Sequence, residues 1–333
     1  MHAGDSSFHG IYGHENKVAL LRAAIRNNRV SHAYLFYGMS GVGKKAIAVV
    51  FAKALNCVDE ENGPCDRCPS CLKIERRSHP DVVGISPEGQ FIRIKEIREL
   101  QNHMVFRPLE GRKRIFIVDE ADRMNSAAAN ALLKTLEEPS AANVLILVTS
   151  RPHGLPMTIL SRCQQVRFDP LPVDVIVSFL KERFTMDEGP ARLLAASSGG
   201  SIGRAMELKE DSYIELKNNL IDGISNIRAP RDFSGFLKNF GNDRESVLAR
   251  LDILNTWFRD ILVYKETGES DRLIHQDRIE KIRSLSEEMT GPGLIESMAA
   301  VSQARTAIER NANKQLTLEM MMFRLFPAKQ VQA

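Results

Sequence analysis

The stretch that most limits the fold is "AYLFYGMSGVGKKAIA", residues 33–48. A short, uniformly apolar run enters a glycine-rich loop, and a helical pattern with Ile47, Val50, Phe51 and Leu55 follows it. A run apolar at every position fits a strand covered on both faces, as in a parallel sheet. Gly38, Gly41, Gly43 and Lys44 have the spacing of a phosphate-binding P-loop, whose backbone N–H groups and helix start cradle phosphate oxygens while the lysine reaches the terminal phosphates. The next position should offer a hydroxyl to Mg²⁺, and here it is Lys45. An ammonium has three donors and no acceptor, so it cannot be a metal ligand. The sequence leaves ATP or ADP binding open: an imperfect loop can still hold ADP or phosphate without the metal.

Further apolar runs, "DVVGIS" (81–86), "RIFIVDEAD" (114–122) and "NVLILVTS" (143–150), read as strands, and "NSAAANALLKTLEEP" (125–139) reads as a helix between Asn125 or Ser126 and Pro139. This alternation predicts an α/β fold, a doubly wound parallel sheet with helices on both faces. Asp119 and Glu120 close the second of these strands, placing one carboxylate near a metal and the other near an attacking water. Past residue 169 only helical patterns remain, interrupted at Gly199-Gly200 and running to the end of the chain. The final "PAKQVQA" reads as a frayed tail.

Four of the five cysteines, Cys57, Cys65, Cys68 and Cys71, fall within fifteen residues. Four thiolates at this spacing can close a tetrahedral structural Zn²⁺ site, with Gly63-Pro64 supplying the turn. An iron–sulfur cluster or disulfides are the other readings of the same pattern. Cys163 stands apart and reads as a small buried residue. A formal net charge of +3 does not mark a protein that coats nucleic acid. "EGRKRIF" (110–116) is a solvated basic turn or a follower of duplex phosphates. No run of eighteen apolar residues marks a membrane span, and the N-terminus lacks a signal-peptide pattern, so the expected location is the cytoplasm.

Together "SHAYLFYGMSGVGKKAIA", the cysteine module, "HPDV", "RIFIVDEADRMNSAAANALLKTLEEP" and "TILSRCQQVRF" resemble bacterial clamp-loader subunits of the AAA+ superfamily, over about residues 9 to 208. The resemblance implies a P-loop AAA+ domain (1–168) with the zinc module (57–71) inserted, a helical lid (169–210) and an all-α collar (211–333) for ring assembly. It makes Ser161-Arg162-Cys163 the SRC signature and Arg162 an arginine finger acting in trans on a neighbour's ATP. Thr149 and Ser150 fall at a phosphate-sensing position, and Arg204 at the lid's sensor position. The implied partners are gamma/tau and delta subunits, with the sliding clamp and primed DNA reached through the complex. Lys45 departs from the ATP-hydrolysing members, whose loop ends in Lys-Ser or Lys-Thr, and turns the expectation to a subunit that lends its arginine without being a motor. The other readings are a gamma/tau-type ATPase and a zinc-dependent nucleic-acid-binding protein.

Overall fold

The computed structural model describes residues 10–59, 63–210, 213–241 and 243–327. Most of the expected C-terminal tail lies outside these residues. The chain packs as two compact units, Met1–Thr185 with Ser198–Met206, and Met186–Ser197 with Glu207–Ala333.

In the first unit, α1 (Glu15–Arg26) precedes β1 (Ala33–Gly38), α2 (Lys44–Asn56), α3 (Pro69–Glu75), β2 (Val82–Ile85), α4 (Ile94–Met104), β3 (Arg114–Val118) and α5 (Ser126–Glu137). β4 (Asn143–Thr149), α6 (Met157–Leu160), β5 (Gln164–Phe168) and α7 (Val173–Phe184) follow. The five strands form one sheet in the order β2-β3-β4-β1-β5, and every pairing is parallel. Because side chains alternate across a strand, each apolar run feeds both faces. Ala33 and Leu35 pack with Phe116, Leu145 and Leu132 on one face, while Tyr34 and Phe36 pack with Ile115, Ile146 and Phe51 on the other. The parallel sheet expected from the sequence is therefore present. β3 ends at Val118 rather than Asp122: Glu120 takes a left-handed φ of 48° and Ala121–Arg123 form a 3-10 turn. β5 is an additional edge strand, burying only Val166 and Phe168.

One buried polar cluster fixes the geometry behind the sheet. Asp81 is fully buried, and its carboxylate accepts the backbone N–H groups of Leu109, Glu110 and Gly111 and the guanidinium of Arg114. Those donors hold its carboxyl below the ordinary range although burial alone pushes it up. Arg112 donates to the carbonyls of Leu55 and Cys57, and Lys113 to that of Ala141. Two of the three basic residues of "EGRKRIF" thus tie β3 to its neighbours, and Arg114 is buried rather than part of a solvated turn.

The second unit is helical among its described residues. It contains α8 (Glu188–Ser197), the end of α9 (Ile202–Glu210), α10 (Tyr213–Ser225), α11 (Phe233–Leu237), α12 (Arg244–Thr267), α13 (Ile279–Glu288), α14 (Gly291–Glu309) and α15 (Lys314–Leu325). Asp243, Thr290 and Asn313 cap α12, α14 and α15 through side-chain oxygens that accept backbone N–H groups. α12 lies along α14, with Trp257, Leu254 and Val301 buried. No helix among the described residues is long and apolar enough to cross a membrane.

Candidate functional site: a phosphate-loop cleft with an internal cation

β1 delivers the chain to the glycine loop at the carboxyl edge of the sheet, where open parallel sheets bind ligands. Gly38 must be a glycine: a Cβ there would stand 2.1 Å from the carbonyl oxygen of Phe168 on β5. Gly43 caps α2 at φ 101°, in the left-handed region that favours glycine. A cleft of about 390 Å³ opens above, lined by Gly41, Gly43, Lys44, Lys45, Asp119, Glu120, Thr149 and Ser150 together with Ile202, Gly203 and Met206. The structure thus gathers most of the residues singled out as a nucleotide site. Gly38 lies beneath the loop, and Arg204, on α9, is not among the lining residues.

Every carbonyl from Gly38 to Val42 has a partner. Lys44 is buried and its Nζ donates to Gly38 O at 2.7 Å and Met39 O at 2.6 Å. Ser201 Oγ donates to Ser40 O, and Gly203 N to Gly41 O, both at 2.9 Å. His14 Nε2 lies 3.1 Å from Val42 O, so that nitrogen must carry the proton. Burial lowers the affinity of Lys44 for its proton, against the pull of Asp119 and Asp122. The loop keeps its shape through contacts from its own chain.

The decisive contact is at the substituted position. Lys45 Nζ lies 2.8 Å from Asp119 Oδ2, the carboxylate expected to serve the metal. The ammonium is therefore an internal counter-charge at the end of β3. Glu120 pairs with Arg123 at 2.8 Å, and the Thr149 hydroxyl donates to Asp122 and accepts from Arg151 N. The candidate water-polarising acid and the candidate phosphate sensor both already have partners within the chain. None of these pairings was visible in the spacing of the motifs.

The SRC triplet divides its labour by orientation. Ser161 Oγ donates to Thr158 O at the end of α6, and Cys163 turns inward to the core beside Ile159. Burial pushes the Cys163 thiol up to about 12, so it is a packing residue and not a nucleophile. Arg162 faces outward, partly exposed, and is not among the residues lining the chain's own cleft.

The four clustered cysteines converge as the sequence suggests, with all Sγ atoms within 4.8 Å of one another. A tetrahedral site with metal–sulfur bonds of about 2.3 Å needs sulfurs about 3.8 Å apart, so the set fits with a small contraction. Cys57 ends α2, Cys68 caps α3 and Cys71 sits in the first turn of α3. Cys57, Cys65 and Cys68 accept the N–H groups of Cys65, Cys68 and Cys71 in turn, which orients the sulfurs before any metal binds. Hydrogen bonds from the backbone, Arg67 first, bring the Cys65 thiol down to about 6, while burial raises Cys57 and Cys71. Gly63 completes the turn, because a Cβ there would meet the Cys57 sulfur at 3.1 Å. These four side chains could hold a metal ion, and the donor set suits Zn²⁺.

Comparison with known proteins agrees with this assembly of features. The family described as "DNA polymerase III, delta subunit" matches residues 13–172, and "DNA polymerase III, delta subunit, C terminal" matches 212–326. DNA polymerase III subunit delta' of Bacillus subtilis is 33% identical over 314 residues, covering 92% of this chain and 94% of its own. The chain belongs to the delta' family of DNA polymerase III clamp-loader subunits. DNA polymerase III subunit tau of the same organism is 29% identical over 349 residues, which span 96% of this chain but 61% of tau. A solved DNA polymerase III gamma subunit-related protein from Thermotoga maritima covers 92% of this chain and 98% of its own, at 20% identity and a TM-score of 0.38. The two family matches fall on the parallel-sheet unit that bears the four-cysteine cluster and on the helical C-terminal region.

Proposed function

We propose that this chain is the stator of a DNA polymerase III clamp loader. It does not hydrolyse ATP itself, and it extends Arg162 to ATP bound on a neighbouring gamma/tau subunit. The observation that carries the reading is the 2.8 Å pair between Lys45 and Asp119. A cation tethered to the chain satisfies the carboxylate that a motor subunit reserves for Mg²⁺, and its hydroxyl ligand is missing. Arg162, by contrast, stands outward on a short turn backed by a buried cysteine, where a second subunit can meet it. A guanidinium fixed beside the transferring phosphoryl group stabilises charge spread over its oxygens.

The rest of the chain supports the same role. We read residues 1–168 as the AAA+ domain, 169–210 as its lid and 211–333 as the collar through which it meets gamma/tau and delta subunits. Leu316, Met320 and Phe323, each more than half exposed at helical spacing on α15, favour a partner surface in that region. The cysteine module is read as a structural Zn²⁺ site. Sliding clamp and primed DNA are engaged through the assembled complex.

The test is reconstitution with gamma/tau and delta subunits, followed by ATP turnover in the presence of clamp and primed DNA. Arg162→Ala lowers hydrolysis at the interface it serves by about 10³-fold while the complex still assembles. Unchanged turnover by an assembled Arg162→Ala complex overturns the reading. Robust Mg²⁺-dependent turnover by the isolated chain, lost in Lys44→Ala, establishes a motor subunit instead.

A further inference from the structure

Arg162 is not left to find its own direction. Its Nη1 donates to Thr158 O at 3.0 Å, and its Nη2 donates to Glu137 Oε1 at 2.9 Å. Thr158 belongs to α6, in the same turn as the arginine, whereas Glu137 is the last residue of α5. A carboxylate in the last turn of a helix opposes the macrodipole and destabilises that end unless a cation answers it. α5 places Glu137 there, with Glu138 immediately after it, and Arg162 is the cation that answers. α5 is itself held against the sheet by Leu132 and Leu136. The carboxylate is thus fixed to a rigid element, although its own tip is half exposed.

We propose that Glu137 is a positioning residue for Arg162: it fixes the plane of the guanidinium so that the arginine meets a neighbour's ATP already oriented. The inference rests on the reading of Arg162 as a finger. Guanidinium has five N–H donors in a rigid fork. The two bonds above engage one donor on each terminal nitrogen, and among the described residues the others are left to an anion from outside the chain. Glu137 therefore need not release the arginine for it to work. An unrestrained arginine loses side-chain freedom on meeting the phosphate, and a pre-oriented one has lost it already. The role assigned to Glu137 is thus exerted through its bond to Arg162.

The experiment uses the reconstituted complex and measures kcat and KM for ATP with Glu137→Ala, Glu137→Gln, Arg162→Ala and the double variant Glu137→Ala/Arg162→Ala. Glu137→Ala is expected to lower kcat by about tenfold, as misplacement of a catalytic group does, with KM within about twofold. Glu137→Gln keeps an acceptor oxygen at the same reach and restores kcat to within about threefold of the parent. In the Arg162→Ala background the Glu137 substitution has no further effect, because two residues acting as one unit do not add. Three results overturn the inference while leaving the finger intact: Glu137→Ala without effect, Glu137→Ala that speeds turnover, or Glu137→Gln as impaired as Glu137→Ala. If Arg162→Ala is itself silent, the reading of the finger fails, and this inference fails with it.

Discussion

Replacing Lys45 by threonine gives the loop the hydroxyl that a metal-binding version requires, and the structure sets the size of the change. The Lys45–Asp119 pair lies at 2.8 Å, with side chains 48% and 21% exposed. At an effective dielectric constant of about 20, unit charges at that distance attract by about 6 kcal/mol. Solvent screening and lost side-chain freedom leave a partly exposed pair a net contribution of only about 0.2–1 kcal/mol. Breaking the pair is therefore a small obstacle to metal binding. The larger obstacle is repulsion: an ammonium that remains on the loop opposes a dication roughly 5 Å away by about 2–3 kcal/mol at an effective dielectric constant of about 50. Together these disfavour Mg²⁺-nucleotide by about 3 kcal/mol, or roughly two orders of magnitude in affinity.

The assay is binding of a fluorescent ADP or ATP analogue to the purified chain, with Mg²⁺ and with a chelator. In the parent, affinity is expected to be insensitive to Mg²⁺ or weakened by it. In Lys45→Thr, Mg²⁺ strengthens binding by about 100-fold. Lys45→Ala removes the charge without supplying the ligand, so it should recover this electrostatic gain, and any further Mg²⁺ dependence in Lys45→Thr measures what the hydroxyl adds. A parent chain whose nucleotide affinity already rises with Mg²⁺ as steeply as that of Lys45→Thr refutes the argument that the lysine stands in for the metal.

Two other perturbations test separate parts of the molecule. Metal analysis of protein purified under reducing conditions should find about one Zn²⁺ per chain. Chelation or Cys65→Ser should expose residues 57–71 to protease without changing the fluorescence of Trp257, the single tryptophan; protein with no metal as purified refutes the zinc reading. His275 is fully buried against Trp257 and bonded to Thr256, and burial, with Lys217 adding to it, drives its proton affinity down to about 3. An unfolded histidine titrates near 6.5, so at pH 7 the ring is neutral in both states and carries no penalty. As pH falls from 6.5 towards 3 the unfolded chain takes up a proton that the native one refuses, lowering stability by about 2 kcal/mol at pH 5. Urea unfolding followed by Trp257 fluorescence should show this loss in the parent and a shallower pH dependence in His275→Gln; identical slopes refute it.

Much of the sheet could be read directly because a continuous apolar run has few other destinations. "AYLFYG", "RIFIV" and "NVLILVT" are buried along most of their length, and Asn125 caps α5 through a local bond to Ala128 N. β5 escaped notice because an edge strand with two buried residues has no comparable signal. The same holds for α4, which buries only Ile97 and Leu100 among eleven residues. In the cleft, the residue types were legible and their partners were not. Asp81 and Arg114, Thr149 and Asp122, and Glu137 and Arg162 are pairs joined by folding rather than by spacing. In the basic cluster read as solvated or DNA-facing, Arg114 is buried on Asp81, while Arg112 and Lys113 bond to carbonyls of their own chain.

Lys45 gives these pairings a common logic. A phosphate loop in a motor subunit is completed by its ligand: nucleotide answers the N–H groups, and the metal answers the acid at the end of the strand. Here the metal's charge is supplied from the loop itself, and the five loop carbonyls are held by Lys44, Ser201, Gly203 and His14. Much of the force that nucleotide would exert on the acid and the loop is already supplied internally. A ligand can shift a conformational equilibrium only by its differential affinity for the two states. With the acid already neutralised and the loop already tied to the segment around Gly203, little differential is left for ATP to exploit. Under the function proposed above, a subunit built this way holds one shape through a neighbour's catalytic cycle, as a fixed support for an arginine aimed at another subunit's phosphate requires.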